Sequence, residues 1–389
     1  MLHLPMATRP TRRLRPRDWL IQIGVLAVVL GLVVSFVLIA RHNLLSQGIA
    51  TGFGFLERST GWPINFALIE VTDRSSYARM LTAGLLNTLL VGVLGLIAAT
   101  VIGMFIALAR ISSNAVLNLI GTVYVEIFRN VPLILQAFFW YAVMTHLPSP
   151  RQAIPLGGVG FISNRGIMLP ALDMSALDIV LLVVGIVLAF VAVQKLAKSG
   201  QMVLRWKWPL LIGISAALLL VLLLTGREAD APLFTVPELK GLRFVGGFAV
   251  KPEFSALLIA IAVFGGAYIG EIIRGGFLAV DQGKVEAALA LGLRPMQVNR
   301  LIRIPLALRA ALPALANQYV WLMKSTTIGI AIGFPDYFMI VSTSINQSGQ
   351  TIELLALLMG GFLLVNYIIG AVMNAINRRI AIKGRETQL

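Results

Sequence analysis

Long apolar stretches, separated by shorter polar segments, dominate the pattern of the chain. A helix needs about 20 mainly apolar residues to cross the hydrocarbon of a bilayer. The pattern therefore predicts an all-α, polytopic membrane protein with about eight transmembrane helices. The predicted spans are 19–40, 81–109, 118–145, 177–194, 209–225, 254–275, 307–333 and 354–376.

The first apolar stretch is open to two interpretations, a membrane anchor and a cleaved signal peptide. Its apolar run is longer than the about 7–15 residues of a signal-peptide core, and no small-x-small cleavage site follows Ala40. We therefore expect this stretch to remain in the protein as an anchor helix.

Composition supports the membrane class, because 58% of the residues are hydrophobic and 13% are charged, whereas about 25% charged is usual in soluble proteins. The net charge of +15 is compatible with a nucleic-acid surface or with a membrane orientation signal. Threading the spans from a cytoplasmic N-terminus places most of the 32 Lys and Arg on the cytoplasmic side, and none in the external loop 334–353. This asymmetry follows the positive-inside rule, so it predicts two cytoplasmic termini and no nucleic-acid partner.

Several kinds of site are excluded by residues and motifs that the sequence lacks. Because there is no cysteine, disulfides and thiolate metal ligands are excluded, and the three histidines are too scattered to suggest a metal site. There is no GxxxxGKS/T phosphate loop, no HExxH motif and no GxSxG motif. We therefore expect no catalytic residues, no metal and no cofactor bound by this chain.

One polar segment, EAALALGLRPMQVNRLIRIP at 286–305, lies between two apolar spans on the predicted cytoplasmic side. Residues 284–291 are good helix formers, Gly292 is suited to end a helix with a positive φ, and Pro295 is suited to begin another. Residues 284–305 are therefore predicted to form two short helices, which we call the elbow. Physical reasoning leaves two interpretations open: a knob received by a groove of another protein, and an amphipathic loop on the membrane surface.

The elbow carries a motif that resembles the EAA loop of ABC-importer permeases, EAA-x3-G-x9-I-x-L-P. The matching residues are Glu286, Ala287, Ala288, Gly292, Ile302, Ile304 and Pro305, and Ile304 in place of Leu is the sole departure. In that family the loop is a coupling helix that docks into a cleft of a separate ATPase subunit. The resemblance implies that an ATPase contact includes Glu286, Ala287, Ala288 and Gly292. It also implies that ATP and Mg are bound by the ATPase partner.

Further segments resemble the permeases for polar amino acids: GLLNTLLVGVLGL (84–96), YVEIFRNVPLILQAFFWY (124–141), GEIIRGGFLAVDQGKVEAALALGL (270–293) and WLMKSTTIG (321–329). One departure is Ser325, where family members often have Asn or Asp. The N-terminal span, the loop SQGIATGFGFLER (46–58) and the insert at 146–253 are most similar to the larger permease subunit of the general L-amino acid transport system.

The resemblance also implies domains and partners. The implied domains are a basic tail, anchor helix and periplasmic loop at 1–79, an ABC transmembrane domain at 80–378, and a cytoplasmic tail at 379–389. Within the transmembrane domain, a five-helix type I importer core covers 80–145 and 254–378, and the insert 146–253 adds two helices. The implied partners, in a bacterial inner membrane, are ABC ATPase subunits, a second permease subunit and a periplasmic amino-acid-binding protein.

Two pairs of opposite charges lie within predicted spans. Glu126 and Arg129 are three residues apart, as are Glu271 and Arg274, so each pair shares a helix face. Charges inside a membrane need partners or a cavity. We expect two ion pairs that brace the core near the elbow, and direct contact with a substrate is the alternative.

Lys324, inside the seventh predicted span, is followed by three hydroxyl side chains. An ammonium group beside hydroxyls offers a counter-charge for a carboxylate, such as that of an amino acid. The candidate substrate-path residues are therefore Lys324, Ser325, Thr326 and Thr327. A pair between Lys324 and one of the two glutamates is equally compatible with the sequence.

Glycines spaced four apart are a common basis for close helix contact in membranes. Gly266-x-x-x-Gly270 and Gly329-x-x-x-Gly333 fit that spacing. They suggest helix contacts between subunits.

Together, these features predict the permease subunit of a binding-protein-dependent ABC importer for amino acids. The chain itself is expected to transport rather than to catalyse a covalent reaction. An ion-coupled secondary amino acid transporter is the alternative, since it too would carry charges within its spans. Such a transporter is expected to show inverted repeats and discontinuous helices in matching halves, which we do not see, and it would leave the elbow unexplained.

Overall fold

The computed structural model describes residues 16–46, 52–172, 207–225, 234–241 and 243–380, together with scattered positions between 182 and 193. The described α-helices are α1 (Pro16–Ser46), α2 (Tyr77–Ile111), α3 (Ala115–Asn130), α4 (Leu133–Thr145), α5 (Lys207–Thr225), α6 (Pro252–Leu278), α7 (Gln282–Ala290), α8 (Pro295–Val298), α9 (Ile304–Ser325), α10 (Tyr337–Ser348) and α11 (Thr351–Ile380). A π turn, Asn299–Arg303, joins α8 to α9, and 3₁₀ segments cover Phe53–Glu57, Pro150–Gln152 and Thr326–Ile332.

Four of the described helices, α1, α2, α6 and α11, are long and apolar enough to cross a membrane, and the count is up to six if two bent helix pairs are each one span. The predicted span 177–194 lies largely outside the described residues. The predicted span 209–225 forms α5, whose apolar part Trp208–Val221 is shorter than a full span. The helical membrane class is therefore confirmed, whereas the predicted count of eight spans is not.

The third predicted span, 118–145, is broken into α3 and α4, which meet at an angle of 102°. The break lies at Pro132, which has no N–H to donate to the carbonyl oxygen of Phe128. Gln136, which is 4% exposed, supplies the missing donor. Its Nε2 donates to the carbonyl oxygens of Phe128 and Val131, each at 3.0 Å. Backbone groups freed at membrane depth are thus satisfied by a side chain of the next helix.

Helices α2 and α6 pack closely through glycines. A Cβ atom on Gly103 would lie 2.9 Å from the backbone nitrogen of Gly270, so only glycine allows this approach. Gly266 faces Ile102 of α2, and Gly329 faces α6. The predicted role of Gly266, Gly270 and Gly329 in contacts between subunits is therefore corrected, because these glycines already pack within one chain. A Cβ atom on Gly333 would meet nothing within 4 Å, so its contact with another subunit stays a prediction.

The end of the bundle opposite the elbow is held by buried polar groups. Asn87 of α2 is fully buried, and its Nδ2 donates to the carbonyl oxygens of Phe66 at 3.0 Å and Pro335 at 2.9 Å. The neighbouring Thr88 Oγ1 accepts a hydrogen bond from the backbone N–H of Tyr337 at 2.9 Å. These bonds fix the loop before α2 and the turn before α10 to the same helix.

Short antiparallel strands form within the insert, for which the sequence analysis predicted two helices and no strands. The described strands are β1 (Ile154–Leu156), β2 (Gly160–Ser163), β3 (Gly166–Leu169), β4 (Ala171–Leu172), β5 (Phe234–Thr235), β6 (Glu238–Lys240), β7 (Arg243–Val245) and β8 (Phe248–Val250). They pair in the orders β1-β2-β3-β8, β4-β5 and β6-β7. The β1–β2 turn places Gly157 and Gly158 at φ values of 57° and 80°, which only glycine adopts readily.

Two adjacent glycines at the Leu278 end of α6 offer a matched test of close packing. A Cβ atom on Gly276 would lie 2.5 Å from the carbonyl oxygen of Ala307 in α9, whereas one on Gly275 would have no atom within 4 Å. We expect Gly276→Ala to lower the free energy of unfolding by about 1–3 kcal/mol. Gly275→Ala should preserve it or raise it by up to about 1 kcal/mol. Thermal unfolding of the purified complex measures both, and equal shifts would contradict the contact.

Candidate functional site

The first half of the elbow is a helix with a defined start and end. Asp281 caps α7 by accepting a hydrogen bond from the backbone N–H of Gly283 at 2.9 Å. At the other end, Gly292 has φ +82°, its N–H donates to Leu289 O at 2.9 Å, and the N–H of Leu293 donates to Ala288 O at 3.2 Å. These two bonds form a Schellman motif, which requires a residue that adopts a left-handed conformation. The helix end predicted at Gly292 is therefore present.

A small apolar core lies inside the elbow. Val285 and Ala288 of α7 pack with Val298 of α8, and Leu293 and Ile302 pack against them. Ala288 is only 3% exposed, so it belongs to this core and not to the outer surface of the elbow. We therefore expect Ala288 to support the predicted partner contact from inside the elbow rather than to lie in it. This core joins the two short helices of the elbow.

The outer surface of the elbow is unusually apolar at its tip. Leu291 is 84% exposed and Met296 is 77% exposed. Glu286, Ala287 and Gly292 are exposed beside them. Large apolar side chains at the bend between two helices form a compact surface that a concave partner would cover. We call Ala287, Leu291 and Met296 the elbow tip.

The second half of the elbow leads directly into the membrane helix α9. The backbone N–H of Arg294 donates to Gln297 Oε1 at 2.8 Å, which caps the start of α8. The π turn Asn299–Arg303 then joins α8 to α9, and Pro305 lies in the first turn of α9, where its missing N–H is tolerated. No loop intervenes between α8 and α9, so the backbone is helical from Pro295 to Ser325.

An ion network lies in α2 and α6, within about two turns of the elbow end of α6. Arg274 donates to both carboxylate oxygens of Glu271, from Nε at 3.0 Å and from Nη2 at 2.5 Å. The structure thus contains the predicted pair. Arg110, at the end of α2, also pairs with Glu271, and the sequence analysis missed it because this partner is 161 positions away. One carboxylate therefore ties α2 to α6 beside the elbow.

The other predicted ion pair, Glu126 with Arg129, is not formed among the residues that the structure describes. Glu126 Oε2 accepts a hydrogen bond from Asn130 Nδ2 at 3.3 Å. The guanidinium of Arg129 lies over the ring of Tyr268, 4.9 Å from the ring centroid. Both charged side chains, with Val125, Asn130 and Tyr268, line a cavity of about 210 Å³, which we call the α3 cavity.

The predicted substrate-path residues at the end of α9 divide into two groups. Lys324 is exposed, and it shows no ion pair in the described part of the chain. Each of the three hydroxyls bonds to a carbonyl of its own helix: Ser325 to Trp321, Thr326 to Met323 and Thr327 to Lys324. Ser325 and Thr326 are also buried. Lys324 is therefore the exposed member of this set, whereas the hydroxyls of Ser325 and Thr326 are engaged and covered; a substrate contact of these residues stays a prediction.

Comparison with known proteins places these features in context. The family model described as "binding-protein-dependent transport system inner membrane component" matches residues 99–382. The chain is 40% identical over 95% of both chains to YhdX of Escherichia coli K12, named as an amino-acid ABC transporter permease protein. It is 38% identical to the general L-amino acid transport system permease protein AapQ of Rhizobium johnstonii, over 91% of this chain and 90% of that one. Among solved structures, an amino acid ABC transporter with histidines matches 78% of this chain and 95% of its own, with 20% identity and a TM-score of 0.46.

Two substitutions, Gly292→Val and Gly292→Asn, test the positive φ of Gly292. A Cβ atom at this position would meet nothing within 4 Å, so the left-handed backbone is the only obstacle to a side chain. Asn tolerates this conformation better than valine, for which it costs about 1–2 kcal/mol. We expect amide hydrogen exchange at residues 292 and 293 to be roughly 5- to 30-fold faster in Gly292→Val than in Gly292→Asn. Similar exchange in the two variants would contradict the Schellman end.

Proposed function

The chain belongs to the family of binding-protein-dependent transport system inner membrane components, and from this membership we propose that it is the permease subunit of an ABC importer for amino acids. The observation that carries the proposal is the elbow, an EAA segment folded into two helices with an apolar tip. A permease needs such a protrusion because the energy of ATP hydrolysis is released in another subunit. Relatives named as amino-acid permeases support the substrate class.

We propose that the elbow tip docks into a cleft of an ABC ATPase subunit. Leu291 and Met296 would supply the buried apolar anchors, since they are the large apolar side chains that the elbow tip exposes. Glu286, Ala287 and Gly292 would lie at the rim of that contact, and Ala288 would support it from within. ATP and Mg would be bound by the ATPase.

Movement of the ATPase would reach the membrane through rigid contacts. The elbow follows α6 and precedes α9, and these helices touch where Gly276 meets the backbone of Ala307. The network of Arg110, Glu271 and Arg274 ties α6 to α2 at the same level. A shift of the elbow would therefore tilt α2, α6 and α9 together, as in switching of a central path between its two openings.

The remaining partners and the topology follow from the same proposal. A second permease subunit would complete the path, and a periplasmic amino-acid-binding protein would deliver substrate on the side opposite the elbow. Both termini would be cytoplasmic in a bacterial inner membrane. The proposed divisions are 1–79 for the tail, anchor and first periplasmic loop, 80–378 for the transmembrane domain with the insert 146–253, and 379–389 for the second tail. The similarity to AapQ supports a broad range of L-amino acids.

Substitution of the elbow tip tests the coupling. Leu291→Asp places a charge at the centre of the proposed contact, and we expect ATP-driven uptake of radiolabelled L-amino acids by proteoliposomes to fall at least about tenfold, through loss of an apolar anchor worth roughly 2 kcal/mol. Copurification of the ATPase should fall with it. Gln282→Asp, at the exposed start of α7, is the control and should leave both unchanged. Uptake that needs an ion gradient but no ATP would contradict the proposal.

Single-cysteine labelling tests the orientation. Because the chain has no cysteine, Glu286→Cys and Arg165→Cys each provide one thiol at an exposed position. A membrane-impermeant maleimide added to intact spheroplasts should label position 165 and spare position 286 until the membrane is opened. The reverse pattern would place the elbow outside the cell and rule out contact with a cytoplasmic ATPase.

A further inference from the structure

The α3 cavity lies within the membrane-spanning part of the chain, where charged side chains are rare and usually functional. Tyr268, which forms one wall, is about 24 Å from the Pro252 end of α6 and about 15 Å from its Leu278 end, at 1.5 Å per residue. Glu126, Arg129 and Asn130 on the opposite wall are exposed in the single chain. Charged side chains inside a membrane face protein or a water-filled path, because exposure to lipid costs several kcal/mol. The open side of this cavity therefore faces a partner subunit or a transport path.

The two charges of the cavity retain hydrogen-bonding capacity. Arg129 contacts the face of the Tyr268 ring, a contact that does not consume its five N–H donors. It acts on the Glu271 carboxylate only through space, since Arg274 and Arg110 already hold that group. Glu126 receives one hydrogen bond, at Oε2 from Asn130, so its other oxygen accepts none in the described part of the chain.

The signs of these two charges are complementary to the head of an α-amino acid. Side chains three residues apart on a helix begin about 5–6 Å from each other, and an amino acid carries its carboxylate and ammonium on one carbon. A guanidinium is suited to a carboxylate through paired hydrogen bonds, and a carboxylate is suited to an ammonium. The volume of about 210 Å³ is smaller than the roughly 300–1,000 Å³ of sites for drug-sized ligands.

We propose that the α3 cavity binds the zwitterionic head of the transported amino acid, with Arg129 on the carboxylate, Glu126 on the ammonium and Tyr268 positioning Arg129. This inference rests on the proposed function and names the substrate site within it. The two charges of the cavity bind the carboxylate and the ammonium, which all α-amino acids share. The side chain of the substrate extends toward the open side of the cavity. The site therefore accepts amino acids with different side chains.

Equilibrium binding to the assembled permease and ATPase, without the binding protein, tests the site. The probe is an equimolar mixture of radiolabelled L-amino acids at millimolar concentration. We expect Arg129→Gln and Glu126→Gln each to weaken retention of the label about ten- to hundredfold, through loss of a charge-assisted hydrogen bond. Arg129→Lys should keep part of the binding, and Tyr268→Phe should keep all of it because the ring remains. Arg165→Gln, on an exposed turn between β2 and β3, controls for the loss of one positive charge.

A test on the ligand side needs no variant. Amino acids with different side chains should displace the label from the wild-type complex with similar potency, whereas N-acetyl amino acids and amino acid amides, which each lack one charge, should be at least about tenfold weaker.

Four results would overturn the inference: no retention of label by the wild type, retention unchanged in both charge variants, equal displacement by the blocked analogues, or dissociation of the permease subunits in Arg129→Gln. The last result would make the pair a contact between subunits. ATP-driven uptake by the wild type, measured in parallel, separates these outcomes from failure of the proposed function.

Discussion

The constraint on which this structure depends is that a polar group within the hydrocarbon has no water to bond with, so protein must satisfy it. The break at Pro132 illustrates the constraint, because Gln136 supplies the two hydrogen bonds that the interrupted helix lacks. Asn87 does the same for two loop carbonyls at the opposite end of the bundle. In both places, the carbonyl groups of irregular backbone accept hydrogen bonds from a side-chain amide. By contrast, Glu126 and Arg129 retain hydrogen-bonding capacity that the described part of the chain does not use.

Close backbone contact provides the rigidity that a coupled transporter needs. Lipid chains are as apolar as leucine, so burial alone does not hold membrane helices together, and small residues allow tight packing instead. Gly103 against Gly270 and Gly276 against Ala307 bring α6 to within backbone contact of both α2 and α9. The elbow connects the ends of two of these helices, α6 and α9. A separate small core, built on Val285, Ala288 and Val298, joins the two halves of the elbow.

Local features of the sequence predicted more of the molecule than distant partnerships did. Gly292 and Pro295 marked the elbow correctly, because a positive φ and a helix start are properties of single residues. The motif placed four residues at one contact, but helix geometry buries Ala288 and exposes Ala287, and a linear motif does not separate them. The predicted pair of Glu126 and Arg129 failed because Asn130 and Tyr268 are competing partners within equal reach. The ion-pair partner Arg110 and the strand pairs β3–β8 and β4–β5 depend on contacts between distant segments, which periodicity does not report. The strands of the local hairpins β1–β2, β2–β3 and β6–β7 are only three or four residues long, which is too short for a clear alternation of polar and apolar positions.

The π turn at Asn299–Arg303 fixes the rotational setting of the elbow. A π turn holds one residue more than an α turn, and each residue advances a helix by about 100°. The side chains of α8, Met296 among them, therefore point about 100° away from the direction that an unbroken helix would give them. The number of residues in this turn, rather than their chemical type, therefore sets the direction in which the exposed side chains of α8 point.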